Sequence, residues 1–79
     1  MSMKDNAKAK HKKMGAELKN IRQEKGLTMR AMAELLGTPH SFIGKIEQQD
    51  RRLDIAELEI YCNALGVDPV ETYAKLIAL

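Results

Sequence analysis

From Lys12 onward, apolar residues return at three- and four-residue intervals in five short runs, separated by glycine, proline or a polar turn. Met14, Leu18 and Ile21 mark the first helix, and Gly26 stands where a C′ residue ends one. Thr28 is placed to cap a second helix carrying Ala31, Met32, Leu35 and Leu36, which Gly37 ends after barely two turns. Thr38-Pro39 restarts the chain, threonine as N-cap and proline at the first helical position, where a missing N–H costs nothing. That third helix runs to about Glu47, with Phe42, Ile43 and Ile46 available for burial. Gln48 to Arg52 reads as a polar loop. Asp54 and Glu57 have N-cap and N3 spacing for a fourth helix, whose apolar face continues through Leu58, Tyr61, Cys62 and Leu65 to Gly66. Asp68-Pro69 opens a fifth, bearing Val70, Tyr73, Leu76 and Ile77. No stretch alternates with period two as a strand would, so the pattern predicts an all-α fold of five helices. Residues 1–11 lack apolar periodicity and read as a basic, flexible leader; residues 12–79 read as one domain.

Length and charge refine this picture. Seventy-nine residues make room for one small core. A core of that size holds about 3–5 kcal/mol in reserve, so stabilisation by dimerisation is expected. Cys62 is the only cysteine, which excludes an intrachain disulfide and suits a reducing compartment. There is no run of about 18 apolar residues and no apolar segment after the charged start, so a cytoplasmic, nucleoid-associated protein with no membrane partner is the expectation. Net charge is only +2, but it is segregated. Residues 1–13 carry five lysines against Asp5, whereas residues 54–79 carry five acids against Lys75. Such a split suggests one face for a polyanion and one turned away from it. The lysine leader reads equally as a solvated tail or as a phosphate-contacting arm.

The second and third helices, joined by a sharp turn at Gly37, have helix-turn-helix geometry. A major groove about 12 Å wide admits one helix. In such a pair the first helix crosses the backbone while the second lies in the groove with its N-terminal residues at base edges. Small Ala33 lets the two helices approach, and Ile43 and Ile46 anchor the second from below. That leaves His40, Ser41, Gly44 and Lys45 facing outward. Arg51 and Arg52 flank this helix as phosphate-contact candidates. Glycine at 44 costs about 1 kcal/mol of helix stability relative to alanine. Either close approach to DNA requires it, or that position is read by other residues. No nucleophile–base pair, carboxylate dyad or phosphate-cradling glycine loop is visible, so no enzymatic activity is expected. No metal or cofactor is expected either. His40 has only His11 as a fellow histidine, and Cys62 lies on the apolar stripe. The five methionines read as core filler.

Five motifs carry a family resemblance: Leu18-Lys-Asn-Ile21-Arg22; Gly26-Leu27-Thr28; Met32-Ala33-Glu34-Leu35-Leu36-Gly37; Ile43-Gly-Lys45-Ile46-Glu47; and Ala64-Leu65-Gly66-Val67. In this order and at this spacing, residues 18–67 resemble the Cro/C1-type helix-turn-helix domain, also called xenobiotic-response-element-like or lambda-repressor-like. Pro39-His40-Ser41-Phe42 with Arg51-Arg52-Leu53-Asp54 is similar to one branch of that family. The resemblance implies a compact five-helix DNA-binding domain. It also implies a structural ion pair of Arg22 with Glu47, and base contacts by His40, Ser41, Gly44 and Lys45. Phosphate contacts are implied for Gln48, Arg51 and Arg52, joined by Thr28, Arg30 and Thr38. Two positions depart from the family pattern. Met29 stands where many members have a phosphate-binding glutamine, leaving Arg30 as its substitute. Gln49 stands where many have glycine, implying a different exit from the third helix. The function implied is transcriptional regulation, as a repressor, by a homodimer joined through its C-terminal helix on a palindromic operator. Its half-sites would lie about 34 Å apart. The alternative is an antitoxin or protein-interaction module of the same fold, with a toxin as partner.

Overall fold

Four of the five helices begin where a small polar side chain receives an otherwise orphaned amide. The computed structural model describes residues 2–48 and 51–79, and among them the elements are α1 (Met3–Glu24), α2 (Met29–Leu36), α3 (His40–Gln48), α4 (Ile55–Leu65) and α5 (Pro69–Ile77), with no strand. Ser2 accepts from the Asp5 amide, Thr28 from Ala31, and Asp68 from Val70 and Glu71. Asp54 and Glu57 form a reciprocal capping box: the Glu57 amide donates to Asp54 at 2.7 Å and the Asp54 amide to Glu57 at 3.0 Å.

Two expectations about helix starts are corrected. Residues 3–11, read as a flexible leader, are the first turns of α1, and no break falls between residues 11 and 12. The segment has no periodic apolar face, yet three lysines and two alanines among its nine residues favour helix strongly. Ser2 caps it, Asp5 sits in the first turn, and Lys10 donates to the Ile77 carbonyl at 3.1 Å. Thr38, expected to cap α3, does not. Its amide donates back to the Ala33 carbonyl at 3.0 Å, closing α2, and its hydroxyl is buried without a partner among the described residues. Proline at 39 therefore precedes α3 rather than opening it; its carbonyl accepts from the Phe42 amide at 3.0 Å.

The tight α2–α3 turn depends on Gly37, whose φ of +65° lies in the left-handed region that side chains disfavour. Its amide donates to the Glu34 carbonyl as α2 closes.

The core joins all five helices. Leu18 and Ile21 come from α1, Met32 and Ala33 from α2, and Ile43 and Ile46 from α3. Tyr61, Cys62 and Leu65 come from α4, and Leu76 from α5. α1 packs on α3 and α5, α2 on α3 and α4, and α4 on α5. Of the methionines read as filler, Met32 is fully buried, Met14 and Met29 are half-buried, Met3 is exposed, and Met1 lies outside the described residues. Burial pushes the Cys62 thiol up, so it is a poor nucleophile or ligand. In α5, Val70, Tyr73 and Ile77 do not join the core; they stay on the surface.

Candidate nucleic-acid interface

α3 has a sharply divided surface. Ile43, Ile46 and Glu47, at helical spacing, are buried against the scaffold. His40, Ser41, Lys45 and Gln48 are exposed. Because residues three and four apart share a face, Ser41, Lys45 and Gln48 form one outward row, with His40 at its N-terminal edge. Gly44 is half-buried on the side toward α2. A Cβ there would come no nearer than 4.0 Å to Met29 Sδ, an ordinary contact. Nothing within the described chain therefore requires glycine at this position. Met29, where the resemblance anticipates a polar phosphate ligand, packs against the core instead. Arg30 beside it is exposed.

The rear of α3 is held by an ion pair. Arg22 Nε donates to Glu47 Oε2 at 2.6 Å and Nη2 to Oε1 at 3.2 Å, in the parallel fork that suits guanidinium and carboxylate. Nη1 donates to the Leu27 carbonyl at 2.7 Å. One side chain thus ties α1, the α1–α2 turn and α3 together. Both residues are buried, and the Glu47 hydrogen bond raises the Arg22 pKa despite the opposing effect of desolvation.

The loop after α3 is held by a cluster that the sequence reading missed. Arg51, expected at phosphate, forks onto Glu57 instead, with Nη2–Oε2 at 2.7 Å and Nη1–Oε1 at 3.2 Å. Its guanidinium lies 5.0 Å from the centre of the Phe42 ring, a cation–π distance. Its amide donates to the Lys45 carbonyl at 3.2 Å. Hydrogen bonds from Arg51, and then from the Asp54 amide, hold the Glu57 carboxyl below the usual carboxylate range. Arg51 is therefore a clasp between α3 and α4. The visible signal was Glu57 itself: a carboxylate at N3 turns back toward the preceding loop, where two arginines wait. Arg52 is exposed and forms no ion pair among the described residues.

The remaining candidates divide. Thr28 is exposed, its oxygen accepting from the Ala31 amide. Thr38 cannot reach a phosphate through its hydroxyl, because Oγ1 is buried. That is a correction to its expected phosphate contact. The expected change of turn at Gln49 lies outside the described residues. Among the described residues no group of three His, Cys, Asp or Glu side chains is placed to hold a metal ion, and no helix is long and apolar enough to cross a membrane.

Residues 13–74 match the model of the family described as "Helix-turn-helix domain". An XRE-family like protein from Pseudomonas syringae pv. tomato str. DC3000 is 35% identical, with 95% of this chain and 92% of that chain covered and a TM-score of 0.86. The restriction-modification controller protein C.AhdI from Aeromonas hydrophila is 30% identical over 81% of this chain and 97% of its own, with a TM-score of 0.74. The controller protein C.Esp1396I is 32% identical over 87% of this chain and 91% of its own, with a TM-score of 0.77. No curated protein sequence matches the chain. The chain belongs to the helix-turn-helix domain family, among regulators of the XRE type.

Proposed function

We propose that this protein binds duplex DNA as a homodimer and represses transcription, reading the major groove with α3. The observation that carries the reading is the polarity of α3 itself: Ile43, Ile46 and Glu47 fix its back while His40, Ser41 and Lys45 stand free on its front. A variant of C.Esp1396I, 33% identical to this chain, is known bound to its highest-affinity operator site. In this reading His40, Ser41 and Lys45 touch base edges, and Lys45 donates to guanine O6 or N7. Arg52, Gln48, Arg30 and Thr28 meet phosphates, and Arg51 holds Arg52's loop in place. The dimer joins through α5, and its place of work is the nucleoid. Selecting bound sites from random duplex DNA tests this. A palindrome with half-sites about one helical turn, roughly 34 Å, apart is expected. Recovery of unenriched sequence would refute specific recognition.

Gly44 belongs to this site as a point of close approach. Gly44→Ala should add up to about 1 kcal/mol of helix stability, raising Tm by about 4–8 °C, because the new methyl meets only Met29 Sδ at 4.0 Å. The same change should weaken operator binding. If thermal melting and titration both improve, the glycine has no role at the DNA surface.

A further inference from the structure

The lysine-rich start of the chain has no part in the α3 surface described above. It forms the first turns of α1, and the charges on that helix are sorted by face. Residues 4, 8, 12, 15, 19 and 22 succeed one another at four- and three-residue steps, so they form a single row. They are Lys4, Lys8, Lys12, Gly15, Lys19 and Arg22. Two of them fix the direction in which the row looks. Arg22 bonds to Glu47 of α3, and Gly15 borders the same groove as Ile46, Arg51 and Arg52. The row's lysines are exposed and form no ion pair among the described residues. They therefore run outward from the end of α3, past the loop that carries Arg52.

The neighbouring row, residues 10, 14, 17, 21 and 24, looks toward α5. Lys10 donates to the Ile77 carbonyl at 3.1 Å, and Ile21 and Glu24 line a depression with Asp68 and Glu71. Glu17 and Glu24 lie in this second row, and Asp5 sits in the first turn, bonded to the Ser2 hydroxyl. From Lys8 to Arg22 the row beside α3 thus carries only positive charge.

We propose that the lysine row of α1 is a second, sequence-independent surface that grips duplex phosphates beside those Arg52 reaches. The inference rests on the reading of α3 as the DNA-facing helix and extends it. In this arrangement α3 selects the sequence, and the row adds salt-dependent affinity for any duplex. Lys4 to Lys19 spans roughly 22 Å at a rise of about 1.5 Å per residue. Each DNA strand carries one phosphate per about 3.4 Å of axis, so that length faces several of them. The row lacks the large apolar side chains that a helix lying on a membrane would bury. In residues 3–11 only Ala7 and His11 are even partly buried, so packing alone does not account for the segment. The Ser2 cap and the Lys10 bond to the end of α5 hold the row as helix before a partner arrives, which lowers the entropy lost on binding.

Salt-dependent binding titrations of the full chain test this, on a selected operator and on a mixed-sequence duplex. The combined variant Lys4→Gln, Lys8→Gln and Lys12→Gln should keep its helical circular dichroism, because glutamine and lysine have similar helix propensity. Its salt slope should fall by about 3 on both duplexes. Between about 50 and 200 mM salt the wild type should then lose roughly 40-fold more affinity than the variant. Lys13→Gln, Lys25→Gln and Lys75→Gln together remove the same charge off the row and should leave the slope as in the wild type. An unchanged slope in the row variant would overturn the proposal. So would an equal fall in the off-row variant, since net charge alone would then be acting. Unchanged slopes with lost binding to phosphatidylserine vesicles would assign the row to a lipid surface and overturn it equally. A wild type with no preference for the operator would instead refute the reading of α3, while the slopes on the mixed-sequence duplex would still decide the row.

Discussion

Replacing Glu47 with alanine should lower the melting temperature of this domain by at least about 12 °C. The Arg22 guanidinium is buried, and two of its three hydrogen-bonded contacts go to that carboxylate. Removing one partner of a buried pair leaves an uncompensated charge and costs about 3–5 kcal/mol. In a domain of this size each kcal/mol moves Tm by about 4–8 °C. The loss rivals the whole reserve of about 3–5 kcal/mol expected for so small a core. The double replacement Arg22→Met with Glu47→Leu should recover most of the lost stability, because an apolar pair of similar volume removes the desolvation cost along with the attraction. Thermal melts followed by circular dichroism check both. A drop of only a few degrees in Glu47→Ala would mean that the pair is solvated and does not fasten α3.

The second large effect is on DNA recognition, and it separates two kinds of contact. Lys45→Ala should cost about 1–3 kcal/mol of operator affinity, roughly 5- to 150-fold, and relax preference at one or two base pairs. Melting should be unaffected, since the side chain is exposed and no ion pair involving it is found among the described residues. Arg52→Ala should weaken all duplex sequences alike and reduce the salt slope by about 1. Binding titrations at several salt concentrations on matched and mismatched duplexes distinguish them. Equal losses on every sequence for both variants would show that α3 grips backbone rather than reading bases.

Periodicity and punctuation revealed most of the scaffold. The apolar spacing from Met14 to Ile77 marked five helices, and Gly37, Asp54-Glu57 and Asp68-Pro69 set three of their boundaries. What they missed shares one cause: a local pattern does not show which partner a polar group finds. The lysine–alanine start of α1 has helix propensity without an apolar face, so periodicity passed over it. Thr38 has the right residue type and spacing for a cap, yet its hydroxyl is buried and takes no hydrogen bond among the described residues. Arg51 and Arg52 are indistinguishable in the sequence. In three dimensions Phe42 and Glu57 engage one and leave the other at the surface. Arg22 and Glu47, 25 residues apart, come from the family resemblance and not from any spacing. Spacing marked Val70, Tyr73 and Ile77 as apolar positions of the fifth helix but did not show whether they pack inward or stay outside; they are exposed.

The central claim is that the front of α3 is the surface that meets DNA. Titrating a selected operator into ¹⁵N-labelled protein and following the backbone amides tests it most directly. The account predicts that the amides of His40, Ser41, Gly44 and Lys45, with those of Arg51 and Arg52, shift together and saturate at one half-site per chain. Shifts confined to α1 and α5, with the α3 amides unmoved, would contradict it.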